Sequence, residues 1–176
     1  MSVSELHSTR LQTENMAKAR TIFERQKLKP SQLRTVADRR LGDARFLQKS
    51  GLNARANGAM YLGGFVVECL LKANLLEEHP WLQNAGSPSG HSESDRALWF
   101  LCYRGHDLDG ILARLPRLTE RLAAAGQRGQ TRMLQSLKSI CAQWTIQARY
   151  SPQMATVQDA DKFISRIEEV RPWLLR

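Results

Sequence analysis

Apolar positions recur at helical spacing along most of this chain. From Pro30 to about Ser50, Leu33, Val36, Ala37, Leu41, Ala44 and Leu47 form one stripe, and Arg34, Arg39, Arg40, Arg45 and Lys49 lie largely off it. Ser31 is placed to cap this helix and Gly51 to stop it. The next segment, from about Asn53 to Glu78, contains YLGGFVVECLLKANLL and is apolar almost all the way round. A membrane span needs about 20 apolar residues, and here Glu68, Lys72 and Asn74 interrupt the run. A phosphate loop is excluded, because Gly63-Gly64 is followed by Phe65 with no GK[ST] or GxGxxG. What remains is the central helix of a bundle. Glycine inside a helix costs about 1 kcal/mol relative to alanine, so Ala56, Ala59, Gly63 and Gly64 predict a neighbour packed closely against them. Glu68 and Lys72, four residues apart, pair on one face and mark the polar seam of this helix.

Beyond Pro80, the stretch NAGSPSGHSESD (Asn84 to Asp95) reads as a loop, with His91 exposed in it. A short apolar run, ALWFLCY, follows. Asp107 is placed to cap a helix through Leu108, Ile111, Leu112, Leu115, Leu118 and Leu122, kinked at Pro116. A helix is predicted from Thr131 to about Tyr150, and a last one from Thr156 to about Val170, with Pro172 just beyond it. Residues from about Ser2 to Leu28 favour helix but carry only a thin apolar stripe. No alternating β pattern of useful length occurs. The expected fold is all-α: an up-and-down helical bundle of about five or six helices over 30–176, with a basic N-terminal helical arm over 1–29.

Charge adds to this picture. The 26 Lys and Arg outnumber 17 Asp and Glu, a formal net charge of +9. Twelve of the basic residues and five of the acidic ones lie between Met1 and Met60, so the excess belongs mainly to the first third. Such a patch attracts phosphates, nucleic acid or an acidic partner, or serves only as a solvated face. Arg34, Arg39, Arg40 and Arg45, close together on one helix, are the first phosphate candidates. Cys69, Cys102 and Cys141 are widely spaced in apolar contexts and form no metal or disulfide pattern. Free thiols in a reducing, cytoplasmic setting are expected, with no metal and no cofactor. The polar start, MSVSELHSTRLQTENMAKAR, has no apolar signal core.

Three patches in order, GAMYLGGFVVECLLKANLL, GHDLDGIL and ARYSP with its amphipathic C-terminal helix, resemble the HEPN domain family over roughly Ser31 to Trp173. The resemblance implies an up-and-down bundle, commonly a homodimer. Some members are metal-independent ribonucleases. Others are non-catalytic and bind nucleotide, RNA or a minimal nucleotidyltransferase partner, some in toxin–antitoxin or defence settings. The nucleases carry Arg, four to six residues, then His. In this chain Arg104 and His106 are separated by one residue, and Arg96 and His106 by nine. The motif is absent, and a non-catalytic binding module is the expected branch.

Single residues leave alternatives. Arg149 and Tyr150 either bind phosphate and stack on a base, or close a helix end. Glu68 with Lys72 either lines a groove or forms an edge ion pair. If the chain is an enzyme, His106 is the best-placed base, with Arg104 or Arg149 on phosphate; Asp107 would orient His106 or merely cap the helix. The third reading is a homodimerisation module with an incidental basic face.

Overall fold

The computed structural model describes residues 28–84, 90–124 and 131–176, so the expected arm lies almost wholly outside the described residues. Within them the chain is all-α, with seven α-helices and no strand. These are α1 (Pro30–Gln48), α2 (Asn53–Glu78), α3 (Glu93–Tyr103), α4 (Leu108–Leu112), α5 (Pro116–Ala124), α6 (Thr131–Gln143) and α7 (Val157–Leu174). Two 3-10 segments, Pro80–Asn84 and Ile146–Tyr150, join them.

Side-chain ties fix the helix directions. Leu47 lies against Gly58, and Arg34 pairs with Glu77, so α1 and α2 are antiparallel. The Asn53 carboxamide oxygen accepts from the Val157 amide, while Asn74 donates to the Leu174 carbonyl, so α7 runs parallel to α2. Arg45 with Glu168 and Arg171 with Asp38 hold α1 against α7. The small helix α5 docks at the C-terminal end of α2. There the Glu78 carboxylate accepts from the Leu118 amide at 3.1 Å, a cap supplied from another helix. From α5 the chain returns through α6 to Trp144, which lies on Gly64 of α2.

As expected, α2 is the centre. It has the length and apolar composition of a membrane span, yet 72% of its most apolar stretch is buried inside the bundle. Its glycines explain how. A Cβ on Gly64 would stand 1.9 Å from Trp144 Nε1, and one on Gly63 would stand 2.8 Å from the Ile164 Cδ1. The indole therefore lies flush on the helix backbone, where its N–H donates to the Tyr61 carbonyl at 3.1 Å. Asn74, a buried polar residue of the run, is satisfied throughout. Its amide donates to the carbonyls of Leu70 and Leu174, and its oxygen accepts from Arg121.

Several expected details change. Lys29, not Ser31, is the N-cap of α1, because Pro30 takes the first helical position, where its missing N–H costs nothing. Val36, expected on the buried stripe, is at its edge and exposed. The helix expected through Leu108–Leu122 is two, since Pro116 cannot donate to the preceding turn. The helix expected to reach Tyr150 ends at Gln143. Thr145 is extended, and its hydroxyl caps the 3-10 segment by accepting from the Gln147 amide. Conversely, α7 continues through Pro172 to Leu174. Its end is clamped by Arg121, which donates to the carbonyls of Trp173 and Arg176. Of the loop expected at Asn84 to Asp95, residues 85–89 lie outside the described residues. Ser92 caps α3 by accepting from the Asp95 amide, and His91 is exposed and stacked on Trp81.

Candidate functional site

One stripe of α2 is half-covered at its aromatic end and closed over at its polar end. Tyr61, Phe65, Glu68 and Lys72 follow one another at spacings of four, three and four residues, and so share a helix face. Tyr61 and Phe65 are half-buried and stand edge to face, with centroids 5.0 Å apart; Trp144 packs beside both. Above them the stripe turns polar.

Here the expected pair forms, but not as a surface contact. The Lys72 ammonium donates to Glu68 Oε1 at 2.7 Å, with side chains only 9% and 6% exposed. Lys72 also donates to the Gly105 carbonyl at 2.9 Å, tying α2 to the turn after α3. That turn delivers His106, whose Nδ1 lies 3.0 Å from the same Glu68 oxygen. A carboxylate only accepts, so Nδ1 carries the hydrogen and Nε2 is the acceptor of the neutral ring. The His106 side chain remains 41% exposed, and the ring stands edge-on to Phe65.

Asp107 takes no part. Its carboxylate accepts from the Gly110 amide at 2.9 Å and caps α4. Glu68, unforeseen for this role, is what orients His106. Arg104 is exposed and has no ion-pair partner among the described residues.

Arg149 and Tyr150 close the lower end of the stripe. Tyr150 is exposed and the Arg149 guanidinium lies 4.6 Å above its ring. Arg149 is fully exposed, and contact with the Tyr61 hydroxyl holds its pKa above the ordinary value. On the other flank, the positive charges of Lys72 and Arg40 bear on Cys69, the residue after Glu68. They are outweighed by burial and then by Glu68, which together push the Cys69 thiol up to about 11. Cys102 at about 11 and Cys141 at about 12 are raised chiefly by burial, so none of the three is a poised nucleophile. No metal-binding cluster occurs among the described residues.

The four arginines of α1 therefore separate. Arg34 makes a bidentate bridge to Glu77, with both contacts at 2.7 Å, and Arg45 is tied to Glu168. Arg40 pairs with Asp43 at 3.0 Å, an exposed pair that an incoming phosphate can replace at little cost. Arg39 is exposed, without a carboxylate partner among the described residues. The structure thus brings Glu68, Lys72, His106, Arg149 and Tyr150 around one face of α2, ties Arg34 and Arg45 into ion pairs elsewhere, and leaves Arg40 paired with Asp43. Tyr61 and Phe65 were missed as site residues; their register with Glu68 and Lys72 was the available signal. No protein-family model, curated protein or solved structure matches the chain.

Proposed function

We propose that this chain is a HEPN-like helical module that binds single-stranded RNA, without cleaving it, at the half-buried aromatic end of the α2 stripe and the exposed His106, Arg149 and Tyr150 beside it. The observation that carries the reading is the alignment of Tyr61, Phe65 and His106 on one face, ended by the exposed Arg149–Tyr150 pair. Flat rings accept stacked bases in any sequence, and arginines beside them take the backbone phosphates. The groups on this face offer stacking and charge, and no set of fixed donors that would read one base. Recovery of the tagged protein at moderate salt, with and without nuclease, tests the reading. Copurifying RNA that is released at high salt supports it. A stoichiometric protein partner that survives nuclease, such as a nucleotidyltransferase, refutes it.

A second reading has one observation in its favour. A buried carboxylate that fixes the tautomer of a part-exposed histidine is an arrangement that general-base catalysis employs. In that case His106 Nε2 takes the 2′-hydroxyl proton of RNA while an arginine holds the phosphate. Cleavage that disappears in His106→Ala, with binding intact, would establish it; cleavage that persists would remove His106 from the mechanism.

A further inference from the structure

Three histidines lie among the described residues, and their ring nitrogens are engaged differently. The His91 ring is stacked on Trp81, with centroids 5.0 Å apart. His79 brings Nε2 within 3.4 Å of the Arg114 carbonyl, which only accepts, so that nitrogen carries the hydrogen. At His106 the arrangement is reversed. Nδ1 faces both oxygens of Glu68, at 3.0 and 3.1 Å, and carries the hydrogen. Nε2 then holds the free electron pair of the neutral ring, on a side chain that is 41% exposed.

We propose that His106 Nε2 is a phosphoryl-acceptor site, a covalent modification site whose phosphoryl donor is a phosphoramidate. Histidine is among the side chains that form covalent intermediates, and a nucleophile of this kind is activated when a further group orients it. Nε2 attacks phosphorus with its own electron pair. The P–N bond of the phosphoryl donor breaks, and its electron pair leaves with ammonia or an amine. Nδ1 keeps its hydrogen, and the positive charge that the ring gains lies against the Glu68 carboxylate. The product is itself a phosphoramidate, so the bond formed resembles the bond broken and no further reactant is needed.

The surroundings suit that step. Glu68 is buried and held by Lys72, so the carboxylate keeps its place on Nδ1 while Nε2 reacts. The edge of the Phe65 ring restrains the imidazole from the side. Arg104, two residues before His106, is exposed without an ion-pair partner among the described residues, which leaves its guanidinium for the phosphoryl oxygens. Of the two acids that follow in the chain, Asp107 is committed to the Gly110 amide, and Asp109 is exposed and is the charge left to oppose an incoming dianion. His91 and His79 have no carboxylate on either ring nitrogen among the described residues. The site does not depend on RNA binding and is tested without RNA.

Incubation of the full chain with potassium phosphoramidate, with the histidine-containing peptides mapped by mass spectrometry, tests this. One phosphoryl group is expected on His106, accumulating about tenfold faster than on His91 or on N-acetylhistidine in the same solution. Phosphorus NMR of the modified chain is expected to place it on Nε2, and imidazole nitrogen shifts of the unmodified chain to place the hydrogen on Nδ1. Glu68→Gln is expected to lose that tautomer preference and to slow the reaction about tenfold. Asp107→Asn, which removes the neighbouring charge and keeps a helix cap, is expected to preserve both. Equal rates on His106 and His91, or attachment at Nδ1 of His106, would overturn the site. So would a rate unchanged in Glu68→Gln or slowed equally in Asp107→Asn. The comparison of histidines within the wild-type chain decides the matter even where Glu68→Gln fails to fold.

Discussion

Glu68 and His106 meet at 3.0 Å across 38 residues of chain, with Lys72 on the same carboxylate oxygen. One buried anion thus organises two cation-capable groups from different elements. It fixes the turn between α3 and α4 to the central helix through both His106 and, by way of Lys72, Gly105.

Removing a single member leaves a charge buried without its partner. Glu68→Ala is expected to cost about 3–5 kcal/mol of folding stability, and Lys72→Met a similar amount. The double variant Glu68→Leu/Lys72→Met is expected to be more stable than either single one, since no unpaired charge remains. His106→Ala is expected to cost less, because that side chain is 41% exposed. Urea unfolding of the four variants measures this; a double variant that loses the sum of the singles would contradict the ion-pair account.

The glycines of α2 give a steric prediction. Gly64→Ala puts a methyl into the Trp144 indole, which would lie at 1.9 Å, and the indole is itself bonded to the Tyr61 carbonyl. The expected loss is at or above the upper end of the usual overpacking range of about 1–3 kcal/mol. Gly63→Ala meets the movable ends of Ile164 and Ile167 near 2.8 and 2.9 Å and is expected to cost less. Thermal unfolding followed by tryptophan fluorescence ranks the two.

Alkaline pH acts through the thiols. Cys102 and Cys141 have pKa values raised from 9.0 to about 11 and about 12, so the folded state keeps protons that the unfolded chain releases. Their contribution is complete below about pH 9 and is lost as pH rises through 11 to 12. Stability measured by denaturant across that window is expected to fall, and to fall less steeply in Cys102→Ala/Cys141→Ala. An identical slope in the variant would remove the thiols from the explanation.

The fold was largely legible because helical periodicity reports burial directly. The bounds of α2 could be read from its apolar run between Gly51 and Pro80, and its Gly-Gly step announced a close neighbour. Which neighbour was not legible, since an indole on Gly64 and isoleucines on Gly63 come from 80 to 104 residues away in the chain. The site was legible in pieces. The spacing of Glu68 and Lys72 gave their pairing, but not its burial. The histidine partner could not be found, because the sequence offers Asp107 beside His106 and hides Glu68 behind a helix and a loop. The basic helix misled for a related reason. Arginine spacing shows that charges are near one another, while the carboxylates that occupy Arg34 and Arg45 arrive from α2 and α7.

That division of the arginines separates binding from stability. Arg34→Glu and Arg45→Glu each replace an ion pair with a like-charge contact, so both are expected to lower the melting temperature and to alter RNA binding little. Arg40→Glu, which sets a like charge beside Asp43 on an exposed helix face, is expected to lower the melting temperature less, because that pair lies within one helix, and to weaken RNA binding more.

Fluorescence anisotropy with a labelled single-stranded oligoribonucleotide decides whether the stripe of α2 is an RNA-binding face. Binding that weakens as salt rises is expected. Tyr150→Ala is expected to cost about 1–3 kcal/mol of binding free energy through lost stacking, and Arg149→Glu to weaken binding and flatten the salt dependence. Wild-type affinity retained in both variants, or no binding at low salt, would contradict it.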